Sequence, residues 1–299
     1  MRNGILLINK PAGVTSAAVV GRVKRILRAE KVGHAGTLDP DATGLLICLV
    51  NAATRVAHYA LEGQKRYSGV FRLGLTTSTD DGAGDVLSEG GKVPPFSEVQ
   101  RAALALVGDI LQVPPKVSAK KINGRRAHEL ERKGVEFELA PRKVSIESLE
   151  LWPIDDCRVG YRVRCSPGTY VRSLARDLGG SLGCGGIAES ICREASGSFD
   201  VAAAISIDEI GWDAVRDWTL LVPHVPRVVV PLAVAQALLQ GKPSGLVAVS
   251  DLPAFSQTVT PPSVFMYTPG TSEEPWGFLE ATEAGEVLHR LNVRPQRLL

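Results

Sequence analysis

Six consecutive apolar residues, Leu45–Val50, follow directly on a polar, glycine-punctuated stretch running from Lys31 to Gly44. A short apolar run bounded by turn residues reads as a strand buried in the middle of a sheet. The chain around it mixes elements without a regular strand–helix–strand rhythm, which favours an α+β architecture over a doubly wound one. Ile5–Ile8 reads as a short buried strand and Lys10–Gly13 as a turn. Thr15 or Ser16 caps a helix to about Arg28, with Val19, Val23 and Ile26 or Leu27 on its apolar face. Gly33–Gly44 reads as a loop, Ala52–Leu61 as a helix and Arg66–Leu73 as a strand. Thr76–Asp85 is a polar loop, Ser97 caps a helix to Val107, and the second half of the basic stretch Lys116–Lys133 has helical character. Val144–Leu151 reads as a strand. Arg158–Cys165 alternates strictly, with Val159, Tyr161, Val163 and Cys165 on one face and Arg158, Arg162 and Arg164 on the other. Tyr170–Leu182 reads as a helix. After Trp218 short strands and Pro/Gly turns suggest a small all-β module, so the expected division is 1–218 and 219–299.

The charge distribution points the same way. The 299 residues carry 34 Lys+Arg and 32 Asp+Glu, a net +2. Residues 1–199 hold 28 of the basic and 21 of the acidic groups; residues 200–299 hold 6 and 11. A polyanionic partner would therefore dock mainly on the first part. Basic residues concentrate at Arg22–Lys31 and at Lys116–Lys133, which predicts salt-sensitive binding of nucleic acid. With 44% hydrophobic and 22% charged residues, wholesale disorder is excluded. The five cysteines are widely spaced without a C-x-x-C pair, so neither a disulfide framework nor a zinc site is indicated, and reduced thiols in the cytoplasm are expected. Ile5–Ile8 is too short for a signal segment. Leu220–Leu239 contains Pro223, Pro226, Pro231 and Arg227, which excludes it as a membrane span.

Candidate chemistry sits in the Lys31–Gly44 loop. Gly33, Gly36 and Gly44 allow sharp turns and close approach of a ligand, and Pro40 holds Asp39 in an extended conformation. On residue type alone, a loop aspartate that satisfies nearby amides is the commoner use. The glycine pattern matches neither G-x-x-x-x-G-K nor G-x-G-x-x-G. His34 and Asp39 lack a third convergent ligand for a metal. Asp39 and Asp41 stand too close in sequence to flank a glycosidic bond. Thr79–Asp85 lacks the D-x-D-x-D-G spacing of a calcium loop, and a solvated turn is favoured.

Five segments carry a resemblance. Gly33-His34-Ala35-Gly36-Thr37-Leu38-Asp39-Pro40 with Ala42-Thr43-Gly44 resembles the catalytic motif of the TruB-type tRNA pseudouridine synthases. Asn9–Ser16 resembles the family's N-terminal motif, Lys65-Arg66-Tyr67 its K-x-Y motif, and Gly168-Thr169-Tyr170-Val171-Arg172 its G-T-Y-I-R motif. Pro114-Pro115 with Ser118-Ala119 and Lys121–Arg125 resembles another segment. They follow in family order across residues 4–200, nearest to the bacterial stand-alone form.

The resemblance implies a mixed, mainly antiparallel sheet with flanking helices and a small β-rich PUA-like C-terminal module. It implies conversion of uridine to pseudouridine at position 55 in the tRNA T loop, with base flipping and no metal or cofactor. Asp39 would be the essential carboxylate, through either a glycal route or nucleophilic attack. Arg172 would orient Asp39 and keep its pKa low, and Tyr67 would stack on the base and assist proton transfer from C5. Substrate contacts would come from His34, Gly36, Thr37, Leu38, Lys10, Lys65, Tyr170, Ile191, Lys121 and Arg125. The partner would be tRNA through its T arm. No membrane and no obligate protein partner are expected, and the chain would be monomeric and cytoplasmic. The family's usual Leu-Arg-Arg-Thr is departed from at Cys192 and Glu194; Lys120 and His128 are further departures. A different class of reading is an RNA-binding or tRNA-folding module whose catalysis is dispensable, and a third is a guide-RNA-dependent paralogue.

Overall fold

The computed structural model describes residues 2–117, 121–122, 125–126, 139–239, 263–269, 275–281 and 287–292. Leu45–Val50 lies within the strand Thr43–Val50, and all six of its apolar residues are fully buried. Alternate side chains enter different cores. Leu45, Ile47 and Leu49 join Ile5, Leu7 and Trp218 on one face. Leu46, Cys48 and Val50 join Leu6, Ile8 and the helix residues Val19, Val23 and Leu27 on the other. The continuous apolar run is thus the mark of a strand covered on both sides.

Among the described residues, the main sheet has nine strands. Across it run Gly4–Lys10, Thr43–Val50, Gly186–Ser196, Lys65–Leu73, Arg158–Cys165, Arg142–Pro153 and Gly108–Gln112, with Val32–Ala35 and Phe199–Asp200 attached at the side. Pairing is antiparallel except between Thr43–Val50 and Gly186–Ser196. These strands meet in parallel only at Cys192 opposite Thr43 and Arg193 opposite Gly44. Gly44 has φ 96°, and a Cβ there would stand 2.3 Å from the Arg193 carbonyl oxygen, so only glycine permits the approach. The helix Val171–Ser181 covers the other half of the sheet. Its Val171, Leu174, Ala175 and Leu178 pack in a third core with Phe71, Tyr161 and Val163.

Arg158–Cys165 forms the strand its alternation predicts. The first helix spans Ser16–Leu27, with the Thr15 hydroxyl accepting from the Ala18 N–H. Elsewhere tertiary contacts override local reading. Val32–Ala35, expected as loop, pairs antiparallel with Thr43–Val50, and the turn proper is confined to the residues between them. Its period was too short and too interrupted by glycine to register. The expected helix Ala52–Leu61 is a 3-10 turn, Asn51–Val56, followed by a short helix, Ala57–Leu61. Asn51 adopts φ 54° and spends its side chain on Glu30 N, Lys31 N and the Arg2 carbonyl, which starts the segment with a tight turn. The helix expected from Ser97 to Val107 spans Phe96–Leu104. Its end tightens through bonds from Ala105, Leu106 and Val107 N–H groups to carbonyls three residues back.

The tail departs from an all-β pattern. A helix, Leu232–Leu239, accompanies a four-stranded sheet of Arg227–Val230, Ser263–Pro269, Gly277–Ala281 and Val287–Asn292. Met266 and Phe278 from this sheet share one apolar cluster with Ile5, Leu7 and Leu45 of the main sheet. In the half of Lys116–Lys133 expected to be helical, Arg125–Arg126 form a short strand and the rest lies outside the described residues. Among the described residues, no helix is long and apolar enough to cross a membrane.

Candidate active site

Asp39 is pinned at both neighbours by the N-terminal segment. The buried Ser16 hydroxyl donates to the Leu38 carbonyl and accepts from the Leu38 N–H, both at 2.9 Å. On the other side, Lys10 Nζ donates to the Pro40 carbonyl at 2.7 Å. The turn closes with Ala42 N–H on the Asp39 carbonyl at 3.2 Å. Lys10, expected as a substrate contact, is fully buried and also donates to the carbonyls of Pro11 and Val14 at 2.8 and 2.7 Å. All three ammonium protons are consumed by backbone, so the structure corrects its role from substrate contact to anchor of the Asp39 turn.

Arg172 meets Asp39 from the first turn of Val171–Ser181. Its Nε lies 2.9 Å from one carboxylate oxygen and its Nη2 donates to the other at 3.2 Å, a two-pronged geometry. Arg172 is 4% exposed, and its remaining donors are also used: Nη1 on the Thr79 carbonyl and the Asp81 carboxylate, Nη2 on the Val117 carbonyl. Thr79–Asp85 is therefore only partly a solvated turn: Gly82, Ala83 and Asp85 are exposed, but Asp80 and Asp81 are turned inward. Asp81 faces Arg172 and Asp80 pairs with Arg176 at 2.9 Å, so its carboxylates fix the arginines beside the site.

The electrostatics of Asp39 differ from the expectation. Burial raises its pKa above the ordinary 3.8, and Asp81 adds to the rise; Arg172 and Lys10 act in the opposite direction without cancelling it. Although 40% of the side chain is exposed, the exposed part faces the cavity. As pH falls, the carboxylate is protonated earlier than a free aspartate, so the acid limb of kcat/KM, which reports the free protein, is expected above 3.8. Asp81→Asn removes the like charge and shifts that limb to lower pH; an unchanged or upward-shifted limb in a pH–rate profile contradicts this arrangement. The stability consequence has the opposite sign, because the folded state binds the proton more tightly. Asp39's contribution therefore declines as pH rises through the interval between 3.8 and the raised value.

The cavity measures about 420 Å³, within the range of small-ligand sites. Gly36, Thr37, Leu38 and Asp39 form one wall; Lys65, Tyr67 and Ile191 another; Pro167–Arg172 close it. Tyr67 is half-buried on Lys65–Leu73, opposite both Val163 and Arg193. Burial raises its phenol's pKa while Arg193, which hydrogen-bonds it, pulls the other way, so the group is neutral near pH 7. Lys65 is buried in the wall and donates to the Ser196 hydroxyl at 2.7 Å; burial, then Arg193, bring its pKa down to about 8. Tyr170 lines the cavity with its backbone bracketed by Gln112, which accepts from its N–H at 2.8 Å and donates to its carbonyl at 3.1 Å.

Three expected contacts remain, His34, Lys121 and Arg125. His34 lies on Val32–Ala35 opposite Cys48, outside the cavity wall. Its Nδ1 is buried without a partner, and burial, followed by Arg193, lowers its pKa, so it is a neutral ring at pH 7. Lys121 and Arg125 fall on a short ladder, Lys121–Ile122 paired with Arg125–Arg126.

Arg193 was missed as a site residue. It is 2% exposed, lines the cavity, and donates from Nε to the Leu45 carbonyl at 2.7 Å and from Nη2 to the Gly36 carbonyl at 3.0 Å. It thus ties the Asp39 loop, the central strand and Tyr67 together. The available signal was its place between Cys192 and Glu194 as the retained arginine of the motif. Glu194 itself pairs with Arg66 at 2.8 Å and Arg162 at 3.5 Å, which compensates that departure locally.

A profile of the TruB family pseudouridylate synthase N-terminal domain matches residues 24–171. The tRNA pseudouridine synthase B of Clostridium kluyveri is 38% identical over 261 residues, covering 86% of this chain and 89% of the relative. That of Cereibacter sphaeroides (strain ATCC 17025) is 43% identical over 243 residues, covering 81% and 79%. Among solved structures, a Cbf5–Nop10–Gar1 complex matches with TM-score 0.68 and 25% identity, covering 98% of this chain and 85% of that one. An H/ACA RNP bound to a substrate RNA containing 2′-deoxyuridine matches in fold with the same TM-score and 23% identity, covering 98% and 86%.

Proposed function

The chain belongs to the TruB family of pseudouridine synthases, and from that premise we propose that it isomerises uridine to pseudouridine at position 55 in the T loop of tRNA, with Asp39 as the essential carboxylate. The reaction breaks the C1′–N1 glycosidic bond, turns the uracil, joins C1′ to C5, and moves a proton from C5 to N1, so its atoms balance without a co-reactant. The observation that carries this reading is the two-pronged Asp39–Arg172 pair at the edge of a cavity of nucleoside size. A paired target base must first leave its stack, at a cost of a few kcal/mol. Leu38, Tyr67 and Ile191 offer apolar surface to the extruded ring. Arg172 holds the carboxylate toward the ribose, where it acts on the sugar by attack at C1′ or by proton removal in a glycal route. Tyr67, neutral and held by Arg193, stands ready to relay the C5 proton. Lys10 and Ser16 keep the turn from yielding as the base rotates.

The chain is proposed to act alone, as a cytoplasmic monomer, with residues 219–299 forming a small β-rich, PUA-like appendage. Incubating the purified single chain with unmodified tRNA and mapping pseudouridine tests this. Modification at position 55 without added RNA or protein is expected. Modification elsewhere, or a requirement for a guide RNA, overturns it.

A further inference from the structure

Five arginines of the main sheet pair with carboxylates, and the buried Arg193 is held by the Leu45 and Gly36 carbonyls. Arg66 pairs with Glu194 and Asp200, Arg72 with Glu89, Arg158 with Asp155, Arg162 with Glu194 and Arg164 with Glu147. The cationic face of Arg158–Cys165 is thus balanced by carboxylates and is a poor surface for a polyanion. Arg142 differs. It opens the strand Arg142–Pro153, is exposed, lines the cavity beside Gly168, and has no carboxylate within ion-pair range among the described residues.

Its position is built by the neighbouring chain. Gly168 has φ 81°, and a Cβ there would stand 2.6 to 2.9 Å from Cζ and both Nη atoms of Arg142. The guanidinium therefore packs close to the Gly168 backbone, whose positive φ favours glycine. Gln112, paired with Arg142 across the two strands, brackets the backbone of Tyr170 two residues further on. The edge of the sheet thus fixes both the turn and the guanidinium that rests on it. A planar cation with free donors, at the rim of a nucleoside-sized cavity, suits a phosphate.

We propose that Arg142 binds a backbone phosphate flanking the uridine flipped into the cavity. The inference rests on the isomerase reading above and adds a substrate-binding residue outside the motifs. A charge-assisted bond to one phosphate is worth roughly tenfold or more in affinity. Arg142→Gln is expected to raise both Kd and KM for a T-arm stem-loop about tenfold, with kcat within about twofold of wild type. The slope of log affinity against log salt should fall by about 0.7, one single-strand phosphate contact.

The decisive probe is a stem-loop with one neutral methylphosphonate linkage, placed 5′ or 3′ of the target uridine. At one of the two positions the wild type should lose about tenfold in affinity while R142Q loses nothing further. If R142Q is as sensitive as wild type at both linkages, or binds the unmodified stem-loop with wild-type affinity and salt slope, the proposal is wrong. A residue acting only by packing on Gly168 gives the first of those results. Affinity is read independently of turnover, so failure of the isomerase reading shows separately, as absence of pseudouridine with the wild-type chain.

Discussion

Asp39→Asn is expected to lower the rate of pseudouridine formation by at least about 10⁴-fold while leaving tRNA affinity within a few-fold of wild type. Loss of a group that acts on the reacting atoms ordinarily costs this much, because the remaining contacts bind substrate without lowering the barrier. Asparagine fills the same volume between Leu38 and Pro40, and the anchors that hold the turn come from Ser16 and Lys10 rather than from the carboxylate. The fold should therefore persist. Thermal denaturation and filter-binding affinity separate this outcome from simple unfolding, since a collapsed turn would lower both. A rate within tenfold of wild type would remove Asp39 from the chemistry.

Arg172→Ala has a different signature. The guanidinium is buried, holds Asp39 at 2.9 and 3.2 Å, faces Asp81 at 3.3 Å, and donates to the Thr79 and Val117 carbonyls. Its removal leaves two carboxylates near each other with their common cation gone, and two carbonyls without a donor. Breaking a buried pair from one side costs about 3–5 kcal/mol, so the variant should unfold at markedly lower denaturant concentration. What remains folded should turn over at least about 10³-fold more slowly, because Asp39 is no longer aimed and its pKa rises further once the cation is lost. Arg172→Lys keeps the charge without the fork and should recover more stability than rate. Equal recovery of both would mean that the arginine's geometry is irrelevant to catalysis. Chemical denaturation together with single-turnover rates on the same preparations decides it.

The features read correctly from residues alone were those whose cause is local. Leu45–Val50 announces a doubly covered strand because every residue must be apolar there. Arg158–Cys165 announces a strand because its alternation has one buried face. The Asp39–Arg172 pair had no such signal. Its members stand 133 positions apart, and only the ordered resemblance of the motifs brought them together. Arg193 and Asp81 were overlooked for the same reason. Each is defined by what it touches across the fold: the Gly36 and Leu45 carbonyls for one, the guanidinium of Arg172 for the other. Lys10 was expected at the substrate only through the motif resemblance, yet three carbonyls from Pro11, Val14 and Pro40 claim it. The raised pKa of Asp39 was likewise invisible, since it comes from the walls of the cavity rather than from any neighbour in sequence.

The central claim is that this chain, through Asp39, exchanges the glycosidic bond of one tRNA uridine from N1 to C5. That exchange releases the hydrogen on C5, so tritium release from tRNA labelled at uracil C5 reports it directly. The purified wild-type chain is predicted to release one equivalent of tritium per tRNA. Asp39→Ala, at concentrations giving equal tRNA occupancy, is predicted to release none. No release by the wild type, or equal release by the two, would contradict the account.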